Sequence, residues 1–151
     1  MQHWKSLLVF LFLSAAAAAI GSLAMPDAWF GGLHKPAFNP PNWLFAPVWT
    51  LLYVLMAAAA WRVYRRASVI GVALGLWLAQ LVCNALWSPL FFGLHRIDLA
   101  LADIALLLVL IAATTIAFFR RDRAAGAMML PYLAWVAFAA TLNFSIWQLN
   151  P

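Results

Sequence analysis

Four polar side chains stand inside otherwise apolar runs of this sequence: Gln80, Asn84, Asp103 and Asn143. A polar group in hydrocarbon is costly, so each is expected to face a neighbouring helix, a partner or a cavity. Large aromatics recur beside them at helical spacing. Trp49 and Tyr53 are four residues apart and share one helix face. Gln80, Asn84, Trp87 and Ser88 follow an i, i+4, i+7, i+8 pattern, and Trp135, Ala139, Asn143 and Trp147 form a straight i+4 row. Indoles interleaved with amides suit the wall of a cavity for a flat, apolar ligand with polar edges. They do not suit ordinary catalysis, because no acid–base pair or metal-ligand set accompanies them; no catalytic residue and no metal is expected. A plainer reading is that Asn84, Asn143 and Asp103 bond one another and lock helices together. Both readings hold if the bonded amides also line the cavity.

The elements that carry these residues must be helices in a bilayer. The chain has 151 residues, 68% hydrophobic, 15% aromatic and only 9% charged, with nine Trp. Soluble domains run at about 45–50% apolar and about 25% charged. So few charges cannot cover a water-facing surface, which excludes a soluble globular domain and a disordered chain. A span needs roughly 20 apolar residues. Five stretches qualify, roughly 6–25, 46–63, 69–90, 98–119 and 127–147. The expected fold is an all-α integral membrane protein, a five-transmembrane-helix bundle forming a single domain over 1–151. Only the first connection, 26–45, is long; the other three are short enough to make successive spans antiparallel.

The net charge of +5 and pI near 10.2 come from bases scattered among apolar runs, so nucleic acid is not an expected partner. Membrane lipid is. Lys5, Arg62, Arg65, Arg66, Arg120, Arg121 and Arg123 fall on one side of a five-span chain, and only Lys35 and Arg96 on the other. The positive-inside rule then puts the N-terminus in the cytoplasm and the first loop and C-terminus outside. The first span resembles a signal peptide from Lys5 through the small residues Ser14–Ala19. Its apolar run continues to Met25, which favours an uncleaved span. Cys83, the single cysteine, is expected to be a packing residue.

Counted by helical rise from the outer ends of their spans, Asn143 lies roughly 6 Å in, Asp103 roughly 8 Å and Asn84 roughly 9 Å, with Gln80 near mid-membrane. The inner halves hold only Thr114, Thr115 and Tyr132 beside apolar residues. A proton or ion path needs polar groups along its whole length, so a pocket open toward the first loop is expected rather than a channel. Trp29, Trp43 and Trp147 suit an outer interfacial belt and Trp4 and Trp61 an inner one. Trp135 does not: it lies roughly 18 Å from the outer end of its span and is expected to wall the pocket. Above it, Lys35, Pro36, Pro40, Pro41 and Trp43 belong to a proline-stiffened segment that would make a lid. On the third span, Ala67, Gly71, Gly75 and Ala79 recur every four residues, a small-residue row suited either to a homodimer interface or to tight packing within the monomer.

Three runs, KPAFNPPNWLFAPVWTLLYVLM (Lys35–Met56), QLVCNALWSPLFFG (Gln80–Gly93) and PYLAWVAFAATLNFSIWQLN (Pro131–Asn150), resemble the TspO/MBR family. These are the tryptophan-rich sensory and translocator proteins, also called peripheral-type benzodiazepine receptors. The resemblance covers nearly the whole chain in order. It implies a five-helix bundle, commonly a homodimer, with its pocket in the half capped by the first loop. The implied ligands are porphyrins such as protoporphyrin IX and haem, sterols, isoquinoline carboxamides and benzodiazepines; no cofactor is obligatory. Carried over by motif, the ligand-contacting tryptophans fall on Trp49 and Trp135, the pocket asparagine on Asn84 and the small entry residue on Ala139. Tyr53, Trp87 and Phe91 match further pocket positions. The implied function is a membrane receptor, sensor or transporter that binds such ligands in that pocket, and a bacterial protein is expected. The alternative is a light-dependent porphyrin-degrading enzyme in which a stacked indole donates an electron. Phe144 and Gln148 break the family's sterol-recognition pattern, so specific sterol binding is not expected. Phe30 replaces a lid tyrosine. His34 and His95 lack a second ligand at an axial spacing and are read as interfacial polar residues.

Overall fold

The computed structural model describes residues 3–67 and 70–151. Its helices are α1 (His3–Gly21), the short α2 (Ala28–Gly32), α3 (Phe45–Ala67), α4 (Val72–Ser88), α5 (Ile97–Arg121) and α6 (Arg123–Leu149). Five of them are long and apolar enough to cross a membrane. The chain is an integral membrane protein of the expected all-α class. Around the bundle the packing order is α1, α3, α6, α5, α4, closing back on α1. Leu8, Phe12, Val54, Val82, Val109 and Ile116 point outward, as lipid-facing positions should. Inside, Ala57, Ala59 and Ala60 are fully buried on α3, where their small side chains let neighbouring helices approach. Phe10 of α1 meets Tyr64 and Trp77 edge-on at 5.8 and 5.5 Å between ring centroids.

Local chemistry moves several span boundaries. The first helix stops at Gly21, short of Met25, where the Ser22 hydroxyl donates to the Ala19 carbonyl at 2.8 Å. Pro26 then prevents the helix from resuming directly. The expected connection at 120–126 shrinks to one residue. Asp122 is extended, and its N–H still donates to the Phe118 carbonyl at the end of α5. Its carboxylate accepts from the Ala124 and Ala125 amides at 2.9 and 3.1 Å, capping α6. Arg120 and Arg121 are consequently the last turn of α5. Past Ser88, Pro89 opens a wide π turn (Pro89–Gly93) closed by Leu94 N–H donating to the Pro89 carbonyl. The small-residue row is not used inside the bundle: Gly71, Gly75 and Ala79 are exposed, and a Cβ at either glycine would meet no heavy atom within 4 Å.

Candidate ligand site beneath the first loop

Three of the four polar residues, Gln80, Asn84 and Asn143, bond to neighbouring helices, but Asn84 and Asn143 do so in two separate groups. Asn84 Oδ1 accepts from the Tyr53 hydroxyl at 2.5 Å, and Asn84 Nδ2 donates to the Tyr132 hydroxyl at 2.9 Å. Tyr132 donates in turn to Gln80 Oε1 at 2.7 Å, and Gln80 Nε2 reaches Met56 Sδ at 3.8 Å. This ladder joins α3, α4 and α6 through the bundle interior. Asn143 forms a second clasp: its Oδ1 accepts from Trp87 Nε1 at 3.0 Å and its Nδ2 donates to the Ile97 carbonyl at 3.2 Å. Asn84, Asn143 and Asp103 therefore do not bond one another, although the two asparagines do tie helices together. One carboxylate oxygen of Asp103 is enclosed without a hydrogen-bond partner.

The aromatics divide into two groups. Around Trp135, Phe45 and Phe138 stand at 5.8 and 5.7 Å, and the loop residue Phe38 packs on Phe138 at 6.2 Å. Trp49 lies 5.6 Å from Tyr53 and 6.2 Å from Tyr132. Trp135 is thus level with the first turn of α3, because α6 runs on past the start of α3 to meet the loop; measuring depth along α6 alone made it look deeper. Its indole Nε1 is buried without a partner. Ala139, one turn along α6, is half-buried. The second group gathers on the π turn, where Trp87 stacks on the buried Phe91 at 5.1 Å. Trp29 and Phe30 of α2 meet Phe91 edge-on at 5.9 and 6.0 Å. Trp29, expected in the interfacial belt, is half-buried in this cluster.

The loop is fastened at two points. Asp27 caps α2 through the Phe30 amide and meets His95 Nε2 at 3.1 Å. His95, in the left-handed region at φ 54, stacks on Trp29 at 4.2 Å. The Phe30 amide holds the Asp27 carboxyl below the usual carboxylate range, with His95 contributing. Farther along, His34 and Asn150 exchange two hydrogen bonds, His34 N–H to Asn150 Oδ1 at 3.0 Å and Asn150 Nδ2 to the His34 carbonyl at 2.9 Å. Lys35 Nζ lies 4.4 Å over the Phe30 ring and donates to the Leu33 carbonyl at 3.3 Å. Pro36 and Pro41 accept from Asn39 and Leu44 in tight turns, whereas Trp43 is 72% exposed and covers nothing.

Sequence reasoning missed Tyr132, Asn150 and Asp27. Tyr132 stands three residues before Trp135, and so on the neighbouring edge of the row read from α6. Asn150 acts through the His34 backbone, and Asp27 through the Phe30 amide and a His95 ring 68 residues away, so neither leaves a helical spacing pattern. Two recesses lie elsewhere, one between α1 and α4 and one where α3, α5 and α6 meet at the end away from the first loop.

Comparison with known proteins accounts for this architecture. The TspO/MBR family model matches residues 7–148. The chain is 44% identical to the tryptophan-rich sensory protein of Cereibacter sphaeroides over 149 residues, covering 99% of this chain and 94% of that one. It is 42% identical to protein CrtK of Rhodobacter capsulatus over 148 residues, covering 95% and 91%. With the human translocator protein it shares 39% identity over 126 residues, covering 81% and 75%. A five-helix membrane bundle, a near-complete family match and relatives at this identity have one reading: the chain belongs to the TspO/MBR family.

Proposed function

We propose that this protein is a membrane receptor or transporter that binds flat tetrapyrroles such as protoporphyrin IX or haem beneath the first loop. The observation that carries the reading is the Trp135 indole N–H, enclosed without a partner among the rings of Phe45 and Phe138. A buried donor left unmatched costs about 1–3 kcal/mol. A carboxylate or carbonyl at the edge of a flat ligand would match it while the ligand's plane lies against Trp49 and Tyr53. Asn84 holds Tyr53 in this wall through the bond described above, Trp87, Phe91 and Asn143 brace the neighbouring cluster under α2, and Ala139 leaves room beside Trp135. Entry requires Phe38 and Phe45 to give way, so the two loop fastenings govern access. The names of two relatives, tryptophan-rich sensory protein and translocator protein, accord with a role in sensing or moving such a ligand.

The excess of arginine at the inner ends supports a cytoplasmic N-terminus, with the first loop and C-terminus outside. The unused row of Gly71, Gly75 and Ala79 supports a homodimer. Protoporphyrin IX should quench tryptophan fluorescence saturably in the micromolar range. Ala139→Thr, which fills the space beside Trp135, should weaken binding. An unsaturable quench, or affinity unchanged in both Ala139→Thr and Trp135→Phe, would overturn the assignment.

A further inference from the structure

The end of the bundle away from the first loop gathers five arginines around one carboxylate. Arg62, Arg66, Arg120, Arg121 and Arg123 line a recess of about 490 Å³ at the junction of α3, α5 and α6. Asp122, only 5% exposed, accepts from Arg62 Nη2 at 3.1 Å and Arg66 Nε at 2.7 Å in addition to capping α6. Its oxygens are fully engaged, and its single charge leaves most of the positive charge unmatched. Arg120, Arg121 and Arg123 are exposed and have no ion-pair partner among the described residues. The opposite end differs: Arg96 is forked onto Asp98 at 2.8 and 2.6 Å.

Two features point to phosphate rather than to topology alone. The positive-inside rule is met equally by lysine, yet every base lining this recess is arginine, and the two lysines, Lys5 and Lys35, lie elsewhere. The guanidinium fork matches phosphate oxygens in a way a lysine ammonium does not. The recess also has an apolar border, the 39% exposed Phe119, at the height where helices leave the hydrocarbon.

We propose that this recess binds the phosphate headgroup of an anionic glycerophospholipid from the adjoining leaflet. Arg120, Arg121 and Arg123 hold the phosphate, Arg62 and Arg66 form a positive wall fixed by Asp122, and Phe119 borders the first acyl carbons. The site is independent of whatever binds beneath the loop. Each arginine that lines the recess contributes about fivefold to anionic-lipid affinity, so two contribute about thirtyfold. The test titrates the full chain in neutral detergent with phosphatidylglycerol, phosphatidylcholine or inorganic phosphate, reading bound lipid by native mass spectrometry and thermal unfolding in parallel. Phosphatidylglycerol should bind saturably and preferentially, and inorganic phosphate should not displace it. Arg120→Gln with Arg123→Gln should lose about thirtyfold. Arg65→Gln removes charge from the same end, but its guanidinium lies 4.8 Å over Trp61 outside the recess, and it should leave the affinity unchanged. If the double variant fails to fold, Arg121→Gln alone should lose about fivefold. Equal binding of the two lipids, an equal loss per charge in Arg65→Gln, or displacement by inorganic phosphate overturns the proposal.

Discussion

Removing one oxygen atom tests whether the buried ladder holds the bundle together. Tyr132 is fully buried, and its hydroxyl both accepts from Asn84 at 2.9 Å and donates to Gln80 at 2.7 Å. Tyr132→Phe keeps the ring and its edge contact with Trp49, so packing is nearly unchanged. Two interhelical bonds disappear, leaving Asn84 Nδ2 without an acceptor and Gln80 Oε1 without this donor. Interhelical hydrogen bonds in membranes average about 0.6 kcal/mol and reach about 1.7. The expected loss is therefore about 1–3 kcal/mol, read by reversible denaturant titration of the purified protein with helical signal as the probe. Tyr53→Phe is the internal control. It removes one bond at a half-buried position, where water can replace the lost hydroxyl, and should cost less than about 1 kcal/mol. A Tyr132→Phe variant within about 0.3 kcal/mol of the parent, or a larger loss in Tyr53→Phe, refutes the claim that Tyr132 is the centre of the ladder.

The remaining expectations concern the loop, the α5–α6 junction and the outward row. Asn150→Ala deletes both bonds to His34 and should speed amide exchange around residues 33–38 without lowering global stability by more than about 1 kcal/mol. The Asp27 carboxyl is held below its ordinary range. Its stabilisation of α2 is therefore complete above the ordinary carboxylate pKa of about 4 and is lost as pH falls through the lowered value. Exchange at Phe30 should accelerate only on that acid side, and Asp27→Asn should remove the dependence. A Cβ on Gly126 would lie 2.3–2.6 Å from the Phe119 ring. Gly126→Ala should cost about 1–3 kcal/mol, with much of the loss recovered by Phe119→Ala. Gly75→Leu should leave the monomer folded, since nothing stands within 4 Å of that position, and should abolish the cross-links expected of the proposed homodimer.

The fold was legible because hydrocarbon imposes one strong rule. Five apolar runs of sufficient length had few other ways to satisfy their backbone groups. Boundaries were less legible, since they depend on single side chains such as Asp122 and Ser22 whose caps leave no periodic trace. Trp49, Tyr53, Asn84 and Trp135 could be named from face-sharing and motif. Their partners could not, because a hydrogen bond between α4 and α6 depends on the relative rotation and height of two helices. Helical rise also gives depth only within one helix. Trp135 looked deep along α6, yet it stands beside Phe45 at the first turn of α3.

The weak attraction between apolar helices in lipid also keeps cohesion and the proposed recognition on different residues. Apolar helices gain little from meeting one another in lipid, so packing and a few polar bonds hold them together. Asn84, Gln80, Tyr132 and Asn143 supply those bonds with almost every donor and acceptor engaged. A ligand cannot recruit them without loosening the bundle. It can recruit Trp135, whose indole N–H is held in place by neighbouring rings and bonded to nothing. Cohesion and recognition are thus separated by about one helical turn on α6, from Tyr132 to Trp135. The clasps at Asp27 and Asn150 lie outside both, so the loop can open while the ladder stays intact.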